Sequence, residues 1–152
     1  MKIKNLLLAC VLCSSTSFVQ AGMIDFNGLD NGTIVDDEYL LSHGVTISAT
    51  NIARGSDNLA VTFDTSLSGT LDTDLESPFT NVKHPDLGIA NPGNVLNIHE
   101  NPSSCDDYTC ANPDDEGTRP SGYFTISFEQ AVTLNSIDFF DIENVENGQT
   151  IT

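Results

Sequence analysis

Residues 122–129 read GYFTISFE, and this stretch decides the fold class. Phe124, Ile126 and Phe128 occupy every second position, and Thr125 and Ser127 lie between them. Because successive side chains of a β-strand point to opposite faces, this alternation is typical of a strand with one face on a core and one in water. The sequence therefore predicts an antiparallel sheet at this point.

The same period of two recurs in three earlier segments. In each segment the apolar residues share one face of the predicted strand. They are Val45, Ile47 and Ala49 in residues 44–49; Leu59, Val61 and Phe63 in residues 58–64; and Leu96 and Ile98 in residues 93–100. A helical period is confined to one turn in residues 36–41. Residues 131–143 continue the apolar alternation, with a phase slip that predicts a bulge near residues 135–136. We expect an all-β chain whose strands form an antiparallel β-sandwich, with two packed sheets.

Length and charge exclude several classes of protein. The chain has 152 residues, enough for about one domain, and 22 acidic against 5 basic side chains give a net charge of −17. Such a chain repels a polyanion, so binding to nucleic acid is not expected. The apolar fraction of 39% is below the usual ~45–50%, but its Val, Ile and Phe residues are clustered in strands. We therefore expect an ordered, acidic domain.

The first 21 residues have the pattern of a secretory signal peptide. Lys2 and Lys4 precede an apolar stretch over residues 6–12, and small and polar residues lead to Ala21, after which we expect cleavage. A lipidated Cys10 is the alternative, although its apolar stretch is short. The apolar stretch at residues 6–12 is too short to span a membrane. We expect residues 22–152 to form the mature module, secreted or at the cell surface, with a charge of −19 because three basic side chains remain against all the acidic ones.

Two cysteines remain after cleavage, Cys105 and Cys110, spaced C-D-D-Y-T-C in a polar loop. In an exported chain so close a pair is expected to form a local disulfide. Closing such a loop contributes roughly 2 kcal/mol in the chain-entropy model. A zinc site is the weaker interpretation, since two thiols alone do not complete one.

Carboxylates are concentrated in two connections that are longer than hairpins need, residues 65–92 and 101–121. Long connections inside a domain are typical of functional or ligand-stabilised segments. The chain has 15 Asp and 7 Glu residues, and short carboxylates with backbone carbonyls suit calcium, which takes six to eight oxygens. Solvated surface charge is the alternative for each single residue. The candidate metal ligands are Asp64, Asp72, Asp74, Glu100, Asp114 and Asp115.

The sequence after residue 143 predicts another hairpin. Asn147-Gly148 is a strong type I′ turn signal, and only four residues follow it. So short an arm would leave the preceding strand edge exposed. We expect the sandwich to lack its last strands, with a short closing arm as the alternative.

Several segments together resemble a known class. They are DFNGLDNGTIVDDEY (25–39), GVTIS (44–48), AVTFDTS (60–66), DTDL (72–75), GNVLNIHE (93–100), PDDEG (113–117) and FTISFEQAVTLNSIDFFDIE (124–143). The series is similar to secreted bacterial β-sandwich modules of jelly-roll, galactose-binding-like type, which occur in exported surface proteins including those with PEP-CTERM sorting tails. The resemblance implies a calcium-stabilised sandwich that binds carbohydrate or belongs to the extracellular matrix.

Three functions follow from these features. The first is a glycan-binding module; the chain has no Trp, so the candidate stacking rings are Tyr108 and Tyr123. The second is a structural or adhesive surface protein without a small ligand, with an extracellular polysaccharide or matrix protein as partner.

The third, a carboxylate-based glycosidase or lyase, is least favoured, and we expect no catalysis. No G-x-S-x-G, phosphate-binding glycine loop or H-E-x-x-H occurs. His43, His84 and His99 are scattered at turns and strand ends and are assigned structural roles.

Overall fold

The computed structural model describes residues 22–80, 85–114 and 122–140. Strands dominate, and the one α-helix of the described residues, α1, has a single turn. The elements are α1 (Leu40–His43), β1 (Val45–Asn51), β2 (Ala60–Asp64), β3 (Phe79–Thr80), β4 (Ile89–Ala90), β5 (Asn94–Ile98) and β6 (Gly122–Phe128), with 3₁₀ turns at Pro85–Leu87 and Pro102–Ser104. The all-β prediction is confirmed. The signal peptide and the Asn147-Gly148 turn lie outside the described residues.

The strands form three antiparallel pairs, β1 with β6, β2 with β5 and β3 with β4. Val45 lies opposite Phe128 and Asn51 opposite Gly122 in the first pair. In the second pair Ala60 lies opposite Ile98. The four strands predicted from the period of two are therefore present, and β3 and β4 add a short ribbon within the first long connection.

The main core forms where the inner face of β1 meets β2 and β5. Val45, Ile47 and Ala49 are buried, and the residues between them are more exposed, as the alternation predicts. Their cluster includes Val35 and Ala60, with Leu96 and Ile98 of β5 packed against it. Burial of apolar surface, at about 25 cal/mol per Å², therefore stabilises the contact between the first two strand pairs.

Strand β2 is buried on both faces, which differs from the predicted polar outer face. Ala60, Val61, Thr62 and Phe63 are all buried. Different side chains cover the two faces: Ala60 packs in the main core cluster, whereas Val61 packs with Ile34 and Cys110. Ile34 also forms a bridge with Val61, and the Val35 N–H donates to the Ala60 carbonyl at 2.7 Å. Strand β2 therefore lies between residues 33–35 and β5, where both of its edges are paired.

Helix α1 corresponds to the helical turn expected over residues 36–41, displaced toward the C-terminus. It ends at Gly44, whose φ of 65° lies in the left-handed region that glycine adopts without a steric penalty. The Gly44 N–H donates to the Leu40 carbonyl at 2.9 Å, and β1 begins at the next residue. This turn sets where β1 begins.

The C-terminal part of the described chain leaves much apolar surface in contact with water. Phe124, Ile126 and Phe128 of β6 lie opposite buried residues of β1 yet are 39–41% exposed. The strand predicted over residues 131–143 is wrong for its described part, because residues 131–140 form no strand. No neighbouring backbone pairs with that segment within the described residues, so its alternation alone does not make a sheet. Its exposed apolar side chains are Val132, Leu134, Ile137 and Phe139.

Candidate functional site

The predicted disulfide is confirmed: Cys105 and Cys110 are bonded, and they close a loop that is attached to residues 32–34. The Ile34 N–H donates to the Tyr108 carbonyl, and the Cys110 N–H to the Gly32 carbonyl, each at 2.8 Å. Thr33 and Thr109 form an antiparallel bridge. Since residues 33–35 also bond to β2, the loop is held to the middle of the fold by backbone hydrogen bonds.

Asp106 organises the inside of this loop. Its Oδ1 accepts the backbone N–H groups of Tyr108 at 2.8 Å and of Thr109 at 2.7 Å. These two hydrogen bonds favour the charged carboxylate and lower the pKa of Asp106 below its usual value. The loop therefore has an internal cap, which makes its shape depend on the charge of one side chain.

A cleft of 430 Å³ lies between the disulfide loop and the turn before β2; we call it the disulfide cleft. Its volume is within the range of small-ligand sites, about 300–1,000 Å³. Polar and apolar side chains share its wall. The lining residues are Ile34, Ser56, Asp57, Asn58, Leu59, Pro102, Cys105, Asp106 and Asp107.

The turn before β2 orients the polar groups on one side of the cleft. Asn51 and Ser56 exchange backbone hydrogen bonds at 2.8 and 3.2 Å, which closes the turn. Asp57 Oδ1 accepts the Thr50 hydroxyl at 2.7 Å. Asn58 has a φ of 60°, a left-handed conformation that Asn tolerates better than most side chains. The cleft wall is thus built from a defined turn.

The two predicted stacking residues lie in different places. Tyr108 is 77% exposed at the tip of the disulfide loop, next to Asp107 of the cleft wall. Tyr123 is 53% exposed on β6, opposite Thr50, on the face of that strand away from Phe124. Tyr108 is not one of the residues that line the disulfide cleft, although its sequence neighbour Asp107 is, and Tyr123 lies on a strand face.

The predicted metal ligands are dispersed over the fold. Asp64 Oδ1 accepts the N–H and hydroxyl of Ser66, Asp72 is fully buried, and Asp74 is exposed. Glu100 is 8% exposed, and its backbone N–H donates to the Asp114 carbonyl at 3.2 Å. Asp115 lies outside the described residues. Among the described ones, no three of the predicted carboxylates bring oxygens within 4.8 Å of one another.

Two other groups of three side chains among the described residues do have possible ligand atoms within 4.8 Å of one another. Asp36, Asp37 and Glu38 form the first, but all three are exposed, and two of their carboxylates accept local backbone N–H groups. The second joins His99 to the two bonded cysteines. His99 is fully buried, with Nε2 at 3.0 Å from the Asn101 carbonyl and at 2.9 Å from the Ser104 hydroxyl.

Sequence reasoning predicted the disulfide correctly but missed the approach of Asp57 and Asn58 to its loop and the position of His99 beside it. The role of Tyr108 stays a prediction. The run Ser-Asp-Asn before a strand is a turn signal that could have marked residues 56–58. Nothing local in the sequence shows that this turn faces residues 102–107.

A comparison with known proteins finds no significant match to a protein-family model, a curated protein or a solved structure. Among the described residues, no helix has the length and apolar character that crossing a membrane requires.

The charge of Asp106 makes the disulfide loop sensitive to acid. Folding lowers the pKa of Asp106, so the charged carboxylate stabilises the folded loop fully at a pH above the unfolded pKa near 3.8. This stabilisation is lost as the pH falls through the lower pKa of the folded state. We expect the protection of the Tyr108 and Thr109 amides from hydrogen exchange, measured by NMR relative to the intrinsic exchange rate at each pH, to fall only in that acidic range. The Asp106→Asn variant keeps an acceptor oxygen but does not titrate, so its exchange should lack this step. A normal titration of Asp106 near 3.8 would contradict the assignment.

Proposed function

We propose that the protein is an exported glycan-binding module, a β-sandwich of jelly-roll type whose ligand site is the disulfide cleft. One observation supports the location above others: a highly exposed tyrosine, Tyr108, follows directly after Asp107, which lines a concave surface together with carboxylate, amide and hydroxyl groups. Sugar recognition uses this combination, because a ring packs on the apolar face of a pyranose while polar groups bond its hydroxyls.

The polar groups of the cleft suit a ligand that donates hydrogen bonds. Ionised Asp57 and Asp107 accept hydrogen bonds only, whereas the Asn58 amide both donates and accepts. Sugar hydroxyls can donate to all of them. The net charge of −17 repels acidic polymers, so the proposed ligand is an uncharged polysaccharide.

The loop that carries Tyr108 is held in place before any ligand arrives. The disulfide closes it, Asp106 caps it from inside, and the Tyr108 carbonyl accepts the Ile34 N–H. A rigid aromatic group loses little conformational entropy on binding, which favours affinity. The disulfide also supports export, since such bonds persist in oxidising compartments.

Binding is favoured over hydrolysis. A glycosidase needs a carboxylic acid whose pKa is raised so that it can donate a proton. The pKa of Asp106 is lowered instead, because its Oδ1 accepts two backbone N–H groups. Asp106 therefore fits a supporting role in the cleft wall.

Calcium is the proposed stabilising ion, with Glu100 and Asp114 as the protein ligands best supported. The Asp114 Oδ1 atom is shielded from water and has no hydrogen-bond partner among the described residues, an arrangement that is costly unless a cation or a water satisfies the oxygen. Glu100 is almost fully buried next to it in the backbone network. Backbone carbonyls and waters would supply the remaining ligands that calcium takes.

A structural or adhesive role is the second candidate, and the apolar surface on β6 favours it. Phe124, Ile126 and Phe128 present one half-exposed apolar face of a strand, and residues 132–139 add further exposed apolar side chains. Large contiguous patches of this kind mark interaction surfaces. The proposed occupant in this case is a second copy of the chain.

The glycan proposal predicts different effects for the two tyrosines. In affinity electrophoresis against uncharged polysaccharides, Tyr108→Ala should weaken retention by about tenfold, the equivalent of about 1.4 kcal/mol. Tyr108→Phe should retain binding, because it keeps the ring. Tyr123→Ala is the matched control and should bind like the unaltered chain. Equal losses for the two alanine variants, or no retention by any polysaccharide, would refute this location.

The calcium proposal predicts that EDTA lowers the melting temperature by several degrees and that calcium restores it. An ion at 10–100 times its Kd stabilises a fold by about 1.4–2.7 kcal/mol, which is enough for such a shift. Asp114→Asn should abolish the effect of EDTA, whereas Asp74→Asn, at an exposed position, should keep it. An unchanged melt in EDTA would remove the ion from the proposal.

The adhesive candidate predicts self-association that strengthens with salt, because screening weakens the repulsion between two strongly negative chains. Sedimentation velocity at low and high salt measures it. Ile126→Asp should prevent association. Thr125→Asp adds the same charge on the opposite face of β6 and should not. A monomer at all salt concentrations would reject this candidate and leave the glycan proposal in place.

A further inference from the structure

The imidazole of His99 lies beside the Cys105–Cys110 disulfide and adds a third metal-binding group to the two sulfurs. One ring nitrogen of His99 and the Sγ atoms of Cys105 and Cys110 all lie within 4.8 Å of one another. His99 is fully buried and Cys110 is 4% exposed, so this cluster is shielded from bulk water. The histidine lies six residues before Cys105 and reaches it because the 3₁₀ turn Pro102–Ser104 folds the chain back.

We propose that reduction of the Cys105–Cys110 disulfide converts this cluster into a zinc site. A dithiol reductant breaks the S–S bond, the two sulfurs take two electrons and two protons, and the reductant becomes a cyclic disulfide. Zinc then binds both cysteines as thiolates, which releases the two protons to solvent, while His99 binds as the neutral imidazole. In the disulfide form Cys105 and Cys110 offer no thiolate, so these two residues and His99 hold no such site.

The donor set fits zinc. Two thiolates and one imidazole are common zinc ligands, and a spacing of four residues between the cysteines is within the range of zinc sites. With Zn–S bonds of about 2.3 Å and a tetrahedral angle, the sulfurs lie about 3.8 Å apart. This is also close to the contact distance of two unbonded sulfurs, so reduction itself brings the pair toward metal-binding geometry. Water would take the fourth position.

Asp114 allows His99 to change its tautomer when a metal binds. In the disulfide form Nε2 lies 3.0 Å from the Asn101 carbonyl and is therefore the protonated nitrogen, while Nδ1 accepts the Asp114 N–H at 3.2 Å. The Asp114 carbonyl lies 3.3 Å from the same Nδ1. If the proton moves to Nδ1, this carbonyl can accept it, and Nε2 becomes free to bind metal. Metal-binding histidines usually donate their other N–H to such a group.

The backbone holds both cysteines in place without the disulfide. The Cys110 N–H donates to the Gly32 carbonyl, and the Cys105 N–H to the Pro102 carbonyl at 3.3 Å. Cys105 also lines the disulfide cleft, which gives a reductant and an ion a path to the sulfur. Asp57 and Asp107 in the cleft wall attract cations to that path.

Cobalt(II) titration of the full chain tests the proposal, since Co²⁺ bound by thiolates absorbs visible light. The chain carries Cys10→Ser and Cys13→Ser, so that Cys105 and Cys110 are its remaining cysteines. The chain is reduced with a phosphine without oxygen, and zinc then displaces cobalt to give the zinc affinity. We expect one metal per reduced chain and none bound by thiolate in the oxidised chain. His99→Gln should weaken binding by at least about 10- to 100-fold. His43→Gln, at an exposed histidine, is the matched control and should bind normally.

Two outcomes would overturn the proposal: equal affinities for His99→Gln and the unaltered chain, or one metal shared by two chains. Because His99 is buried, its variant requires a check of folding by circular dichroism. X-ray absorption of the reduced, zinc-loaded unaltered chain is independent of that variant. Two sulfurs and one imidazole per zinc would support the site, whereas four sulfurs, or sulfur without imidazole, would refute it.

Discussion

The pairing of β2 on both of its edges is the constraint on which the rest of the structure depends. On one side β2 pairs with β5, and on the other residues 33–35 bond to Ala60, Val61 and Thr62. Residues 33–34 in turn pair with residues 108–109. This continuous backbone ladder brings the disulfide loop next to the turn before β2, and the disulfide cleft is the space between them. Disruption of the ladder at β2 would therefore affect the core and the cleft together.

The alternation of apolar residues predicted the main strands because that signal is local. Val45, Ile47 and Ala49 share a buried face, as their spacing requires. The same spacing could not show that Thr62 is buried too, since its burial and its hydrogen bond to the Asp30 carbonyl depend on a segment 32 residues earlier. It also predicted a strand over residues 131–140, where no partner strand is present among the described residues. The spacing of apolar residues alone shows which side chains would share a face of a strand. Whether the strand forms depends on hydrogen bonding to a neighbouring strand.

The candidate site was predictable to the extent that its parts are close in sequence. The disulfide followed from the spacing of Cys105 and Cys110, and the exposed Tyr108 followed from its place between them. The approach of Asp57 and Asn58 to this loop depends on the β2 ladder, so no local pattern contains it. His99 was assigned a structural role for the same reason: its contact with the cysteines arises from the turn at residues 102–104.

The strong negative charge favours different chemistry in different parts of the fold. Where carboxylates bond backbone N–H groups, as Asp106 does, the charge stabilises a loop and requires no cation. Where a carboxylate oxygen is buried without a partner, as at Asp114, a cation or water is needed. The backbone of Asp114 also contacts His99, so the calcium and zinc proposals meet at one residue through different atoms. Oxidation state would then decide whether the imidazole of His99 supports the loop or binds metal, while the carboxylate of Asp114 keeps its role in both forms.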